Sequence, residues 1–242
     1  MTAFMVRVPF ENISKLYYNK LYGLRYIPDT NLYLDGIERF NFGGTCYSNN
    51  YYLNQLLAYM GYNAMLCGAD MSTPDAHLVN IVFVDGREFL VDAGYAAPFL
   101  EPMPRDLHKD IEIVQGLDRY VLKPKDKLGN SELELHRDGS HIHGYTAKPI
   151  ARRIDHFEDV IEDSFRDGAT FMNSLLAVRF FPEKSIVINN LSIIESEGSN
   201  YRKSHLKNRD EAARAVEKYF SIPRDIVAEA ISEIKEFGDA WS

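Results

Sequence analysis

The sequence predicts an α+β fold, and three observations predict it. Apolar residues recur at helical spacing within the first 61 residues. Short runs rich in β-branched and aromatic residues then fill the chain to about residue 150. A mixed tail of strand-like and helical patterns closes it. No internal repeat or low-complexity tract interrupts this order.

From Glu11 to about Leu24 the pattern is weakly helical. The next stretch, IPDTNLYLDGIERFNF, reads as loop, punctuated by Pro28-Asp29 and Asp35-Gly36. Leu53, Leu56, Leu57 and Met60 then share a helical face, and Gly61 is a natural stop. Cys46 therefore sits in the first turn of a helix of about 15 residues, with Gly43 and Gly44 just before it. After Gly61 the period changes. NAMLCGAD, HLVNIVFV and REFLVD read as strands, with the hairpin dipeptide Asp85-Gly86 between the last two. IEIVQG, DRYVLKP and a second Asp-Gly hairpin, ELELHRDGSHIHGYTA, continue the strands. ARRIDHFEDVIEDSFRDG is a connection with a helical portion, and SIVINNLSIIESEG returns to strand. Two helices end the chain, one from about Asp210 to Phe220 capped by Asn208. The other runs from about Pro223 to Phe237, with Ile226, Val227, Ala230, Ile231 and Ile234 on one face.

Composition narrows the function classes. With 45% hydrophobic and 26% charged residues in 242, the chain reads as a soluble globular protein. No apolar run approaches the ~18 residues of a membrane span. MTAFMVRVPFEN lacks a secretory apolar core, so a cytoplasmic location is expected, with Cys46 and Cys67 as free thiols. A formal net charge of −8 argues against nucleic-acid binding. The basic stretch from Arg202 to Arg209 reads as a solvated loop.

The Asp85-Gly86 turn sets a register. If those two residues form the turn, Val84 faces Arg87 and Val79 faces Asp92. His77 lies two residues along from Val79, so it points to the same face as Asp92. The two are diagonal neighbours roughly 7 Å apart at Cβ, a gap that imidazole and carboxylate can bridge. A one-residue slip would separate them. Such a carboxylate fixes a histidine tautomer and supports the imidazolium, and the histidine can then activate a nucleophile. Cys46 is the candidate, because a helix N-terminus and a nearby imidazolium both favour thiolate. From residue types alone, a structural cysteine remains equally open. Cys67, inside an apolar strand, reads as core. His141 and His143 alternate on a hairpin strand and read as surface residues without a third metal ligand nearby. AGYAAPFLEPMP reads as a structural loop.

Four motifs in order carry a resemblance. VPFEN, FGGTCYSNN, HLVNIVFVDGREFLVDAGY and its Val91-Asp92-x-Gly94-Tyr95 core resemble the arylamine N-acetyltransferase family, including its N-hydroxyarylamine O-acetyltransferase-like members. Matching positions are Pro9, Phe10, Glu11, Asn12, Gly43, Gly44, Cys46, Tyr47, Asn50, His77, Val91, Asp92, Gly94 and Tyr95. The specific part of the likeness spans residues 9 to 104, and the C-terminal third matches loosely.

The resemblance implies a papain-like cysteine-enzyme architecture: a helical lobe (1–61), a β-barrel (62–155) and an α/β lid (156–242). It implies a Cys46, His77, Asp92 triad, acetyl-CoA as acyl donor and no metal. The partners implied are coenzyme A and a small aromatic amine, hydrazine or N-hydroxyarylamine. Tyr95 would line the acceptor pocket, and Phe10 falls to pocket or core. The Cys46 amide would serve as one oxyanion donor. Two other classes stay open: a related amide synthase or hydrolase with another acyl donor, and a binding protein on the same scaffold.

Departures from the family pattern set further expectations. Most of the family's N-terminal helices are missing before Pro9. Phe42 replaces an arginine, Ser48 a glutamate and Ala96 a glycine. With that arginine gone, buried Glu11 is expected to find a substitute cation, Arg39 or Arg7.

Overall fold

The protein, described here by a computed structural model, is defined over residues 1–198 and 200–238. Four helices open it: α1 (Thr2–Arg7), α2 (Ile13–Tyr22), α3 (Thr30–Phe40) and α4 (Cys46–Tyr59). Between α1 and α2 a two-residue strand, β1 (Phe10–Glu11), pairs with a strand from late in the chain.

Helix α3 corrects the loop expected from the turn dipeptides. Asp29 is its N-cap, accepting a hydrogen bond from the Leu32 amide at 2.9 Å. Gly36 is no turn residue. It is buried mid-helix, where an added Cβ would fall 2.6 Å from the Tyr18 hydroxyl, so it marks a close helix contact.

Eight strands form one antiparallel, nearly closed sheet. They are β2 (Asn63–Asp70), β3 (His77–Val84), β4 (Arg87–Val91), β5 (Met103–Pro104), β6 (Ile111–Gln115), β7 (Asp118–Leu122), β8 (Ser131–Arg137) and β9 (Ser140–Ala151). Their order is β5-β4-β3-β2-β9-β8-β7-β6. Asp85 and Gly86 have φ of 50° and 75°, which lets the two-residue turn follow the sheet's twist and pairs Val84 with Arg87. That is the expected register. The inner faces pack Val79, Ile81, Leu90, Tyr120 and Leu133 into one core.

A short 3-10 turn (Ile154–Phe157) and α5 (Glu158–Asp163) connect to a second sheet. It comprises β10 (Leu176–Phe180), β11 (Lys184–Asn189), β12 (Ser192–Glu197) and β13 (Asn200–His205), with β1 paired to β10 on the outside. The basic stretch is thus not wholly a loop, since Arg202 and Lys203 belong to edge strand β13. Opposite-charge pairing across the strands explains it: Arg202 sits opposite Glu195 and ion-pairs with it.

Helices α6 (Arg209–Phe220) and α7 (Arg224–Ala230) follow, and the Asn208 side chain caps α6 as expected. Helix α7 is shorter than the apolar spacing predicts. Arg209 draws off the carbonyls of Ile231 and Lys235, and the Ser232 hydroxyl takes that of Glu229, so the chain turns early. Val227, Ala230, Ile231 and Ile234 are still buried, against Ile13, Leu16 and Phe42. Among the described residues no helix is long and apolar enough to cross a membrane.

Candidate active site

Helix α4 begins at Cys46, after Thr45 in extended conformation. First-turn amides of a helix have no intrahelical acceptor, so the sulfur sits beside free N–H groups. The loop before it is held by the PFEN segment. Glu11 accepts hydrogen bonds from the Gly43 amide at 3.0 Å and the Ser14 amide at 2.8 Å, and its own amide donates to Gly44. Asn12 ties the same segment to the chain before and at the start of β10, donating to Phe171 and Ser174 carbonyls and accepting from the Leu176 amide.

Among the described residues Glu11 has no cation, which corrects the expectation of a substitute for the missing arginine. Arg7 donates to Asn41 and to the Ile37 carbonyl, and Arg39 lies exposed over the Phe40 ring. Phe42, in the arginine's place, is fully buried among Tyr17, Tyr18 and Phe40. Backbone amides, not a guanidinium, satisfy the carboxylate. Burial holds the Glu11 carboxyl above its ordinary value, and the hydrogen bonds from Ser14 and Gly43 only partly oppose this.

His77 and Asp92 meet as the hairpin register requires. The His77 Nε2 and Asp92 Oδ2 atoms are 2.9 Å apart, with both side chains buried. The other ring nitrogen is left for the cleft that His77 and Cys46 both line, and the nearby sulfur favours the charged imidazole. Asp92 accepts three more hydrogen bonds: Asn50 Nδ2 and the Gly94 amide, each at 2.8 Å, and Tyr145 Oη at 2.9 Å. Burial opposes both charges. It is outweighed by their pairing, so Asp92 is held below its usual range and the His77 imidazolium above. Gly94 permits the approach of this loop to the nucleophile, because a Cβ there would lie 2.6 Å from the Cys46 Cα.

Asn50 is the clamp of the arrangement. Besides Asp92, its amide donates to the Leu78 carbonyl, and its oxygen accepts from the Ala93 amide at 2.8 Å. One side chain thereby joins α4, β3 and the end of β4. Sequence reasoning matched Asn50 to the family pattern without assigning this part to it. Tyr145 it missed. The available signal was strand alternation, since Tyr145 and Ala147 both face the barrel core from β9.

A cleft of 350 Å³ opens at Cys46, walled by His77, Phe10, Phe171, Tyr95, His143 and Met71. Phe10 and Phe171 pack edge to face with centroids 5.6 Å apart. His143 is not a surface residue, which corrects the paired-histidine expectation. Across the Asp138-Gly139 turn His141 pairs with His136, but a bulge then pairs Leu135 with His143. The inserted residue puts His141 outside and turns His143 inward, where Nδ1 meets the Tyr95 hydroxyl at 2.6 Å. Ala96, where the family has glycine, keeps the left-handed conformation with φ of 56° and narrows the same cleft.

The second thiol has a different setting. Cys67 is fully buried in β2, and burial pushes it up to about 12.

Fold and site together define an α+β chain of papain-like architecture, with a thiol and an imidazole on one cleft and a buried carboxylate bonded to the imidazole. The chain belongs to the N-acetyltransferase family, whose model matches residues 1–228. It is similar to a chicken arylamine N-acetyltransferase, pineal gland isozyme NAT-10, at 25% identity over 140 residues, 48% of each chain. A shorter likeness, 36% over 69 residues, links it to proansamycin X synthase of Amycolatopsis mediterranei, covering 25% of this chain and 26% of that one. The Mycobacterium marinum arylamine N-acetyltransferase, solved in complex with CoA, shares the fold. It superposes with a TM-score of 0.77 at 18% identity, covering 96% of this chain and 90% of that one. The chain spans about half the length of the curated arylamine N-acetyltransferases it matches.

Proposed function

We propose that the protein is an acetyl-CoA-dependent acetyltransferase acting on arylamines, hydrazines or N-hydroxyarylamines through an acetyl-Cys46 intermediate. The observation that carries this reading is the buried Asp92–His77 pair beside a thiol at a helix mouth. Family membership supports the donor and acceptor classes. The lobes it uses are 1–61 for the nucleophile, 62–155 for His77 and Asp92, and 156–242 for the lid. Reduced thiols persist in the cytoplasm, where we place it.

The Cys46 thiolate attacks the thioester carbonyl of acetyl-CoA, and the C–S bond to CoA breaks. His77 gives its proton to the departing CoA thiolate, which leaves the imidazole neutral. The acceptor nitrogen, or the hydroxylamine oxygen, then attacks acetyl-Cys46. The sulfur leaves as thiolate while His77 takes the acceptor's proton, which restores the starting pair. Asp92 holds the tautomer throughout and stabilises the imidazolium. Phe10 and Tyr95, as cleft walls, present flat apolar surface to an aromatic acceptor.

Mixing with acetyl-CoA and no acceptor should release one equivalent of CoA in a burst and add one acetyl group to the protein. Cys46→Ala should do neither. An acetyl group on lysine alone would contradict the mechanism. A second reading, amide synthesis from another acyl donor, draws on the likeness to proansamycin X synthase. It predicts a reactive Cys46 with no burst from acetyl-CoA.

A further inference from the structure

Lys15 lies in the first turns of α2 with its ammonium turned into the molecule. Nζ donates to the Ser164 carbonyl at 2.8 Å and to the Ser164 hydroxyl at 2.7 Å, and it sits 4.0 Å above the Phe165 ring. A cavity of 20 Å³, large enough for one water, is lined by Lys15 on one side. Gly44, Thr45 and Ser48, which flank the nucleophile, line the other. Among the described residues no carboxylate pairs with this ammonium.

A half-buried cation without a counter-charge is costly, so its neighbours matter. On α2 and just before it stand Tyr18, held neutral by burial, and Glu11, whose carboxyl burial holds above its ordinary value. From the connecting segment come Ser164 and Phe165, while Asp163 and Glu162 turn outward to Arg166 and Arg25. From α4 come Tyr47, also held neutral by burial, and Cys46. Burial pulls Lys15 down to about 7, and the Cys46 sulfur is the one group that opposes the fall.

We propose that Lys15 is a positioning residue for the nucleophile, a positive charge behind the mouth of α4 that favours the thiolate form of Cys46. The charge acts twice in the cycle, because the same thiolate attacks acetyl-CoA and later leaves from acetyl-Cys46. The inference rests on the reading of Cys46 as nucleophile, and its test needs neither acetyl-CoA nor an acceptor.

The test is the pH dependence of Cys46 alkylation by iodoacetamide, followed by peptide mass mapping. Lys15→Met should move the midpoint of that curve up by about one pH unit and slow labelling about tenfold near pH 6. The unfolding midpoint should hold or rise, since a cation without a carboxylate is removed. Lys15→Arg should restore most of the labelling rate. A merely structural lysine would give the opposite pattern, a lower unfolding midpoint and an unmoved curve. That pattern overturns the proposal. Coupling is reciprocal, so Cys46→Ala should lower the pH midpoint for reductive methylation of Lys15 by the same amount. No change there also overturns it, whether or not Lys15→Met folds. If Cys46 resists alkylation at every pH in the unaltered protein, the nucleophile reading fails instead.

Discussion

Among the described residues two carboxylates are sealed, Glu11 with 0% and Asp92 with 1% of its surface exposed, and they are held in opposite ways. Asp92 faces an imidazole and three neutral donors, and stays below its usual range. Glu11 meets Ser14 and Gly43 and, among the described residues, no cation, and rises. Equal burial thus goes with shifts in opposite directions. The difference fits the proposed roles: Asp92 supports the imidazolium, whereas Glu11 holds the loop before Cys46 through backbone amides.

The largest effect should come from Asp92→Asn. It keeps the shape of the site but removes the charge that supports the imidazolium, so acetylation of Cys46 should slow by about a hundredfold to ten-thousandfold. Stopped-flow release of CoA measures it. A near-normal rate would mean that Asp92, like Glu11, is only structural.

Glu11 should show its character in stability rather than rate. Its raised value means that its stabilising contribution is complete below the ordinary 4.5 and is lost as pH climbs through the folded value. Asp92 runs the other way, losing its contribution as pH falls through its lowered value. Glu11→Gln should cost about 1–3 kcal/mol at low pH, because an amide N–H would face backbone N–H groups. That gap should shrink as pH rises, since the glutamine never ionises. A gap that widened with pH would reveal a hidden cation. Smallest of all, Arg39→Ala should change the unfolding free energy by less than about 0.5 kcal/mol, because its guanidinium is exposed over the Phe40 ring.

The half of the site on the barrel was legible because a two-residue turn leaves one register open. Asp85-Gly86 fixed which residues of β3 and β4 share a face, and from that His77 beside Asp92 followed without tertiary knowledge. The same logic failed one hairpin later. The bulge after Leu135 inserts a residue that composition does not announce, so His143 was misplaced on the surface. Helix α3 was hidden by local punctuation: Gly36 signals a turn in sequence but a helix contact in space. Strand β13 was hidden by its charge, which reads as solvation until Glu195 appears across from Arg202. The support of Glu11 had no sequence signal, because backbone amides look alike at every position. Lys15 was silent for a related reason, since a lysine on a helix is expected to point to water.

The central claim is that one of two thiols is the nucleophile, and selective alkylation tests it most directly. Limited iodoacetamide at about pH 6 to 7, with both cysteines read by peptide mass mapping, should label Cys46 and leave Cys67, whose burial in β2 pushes it up to about 12. Preferential labelling of Cys67, or equal labelling of both in the folded protein, would contradict the account.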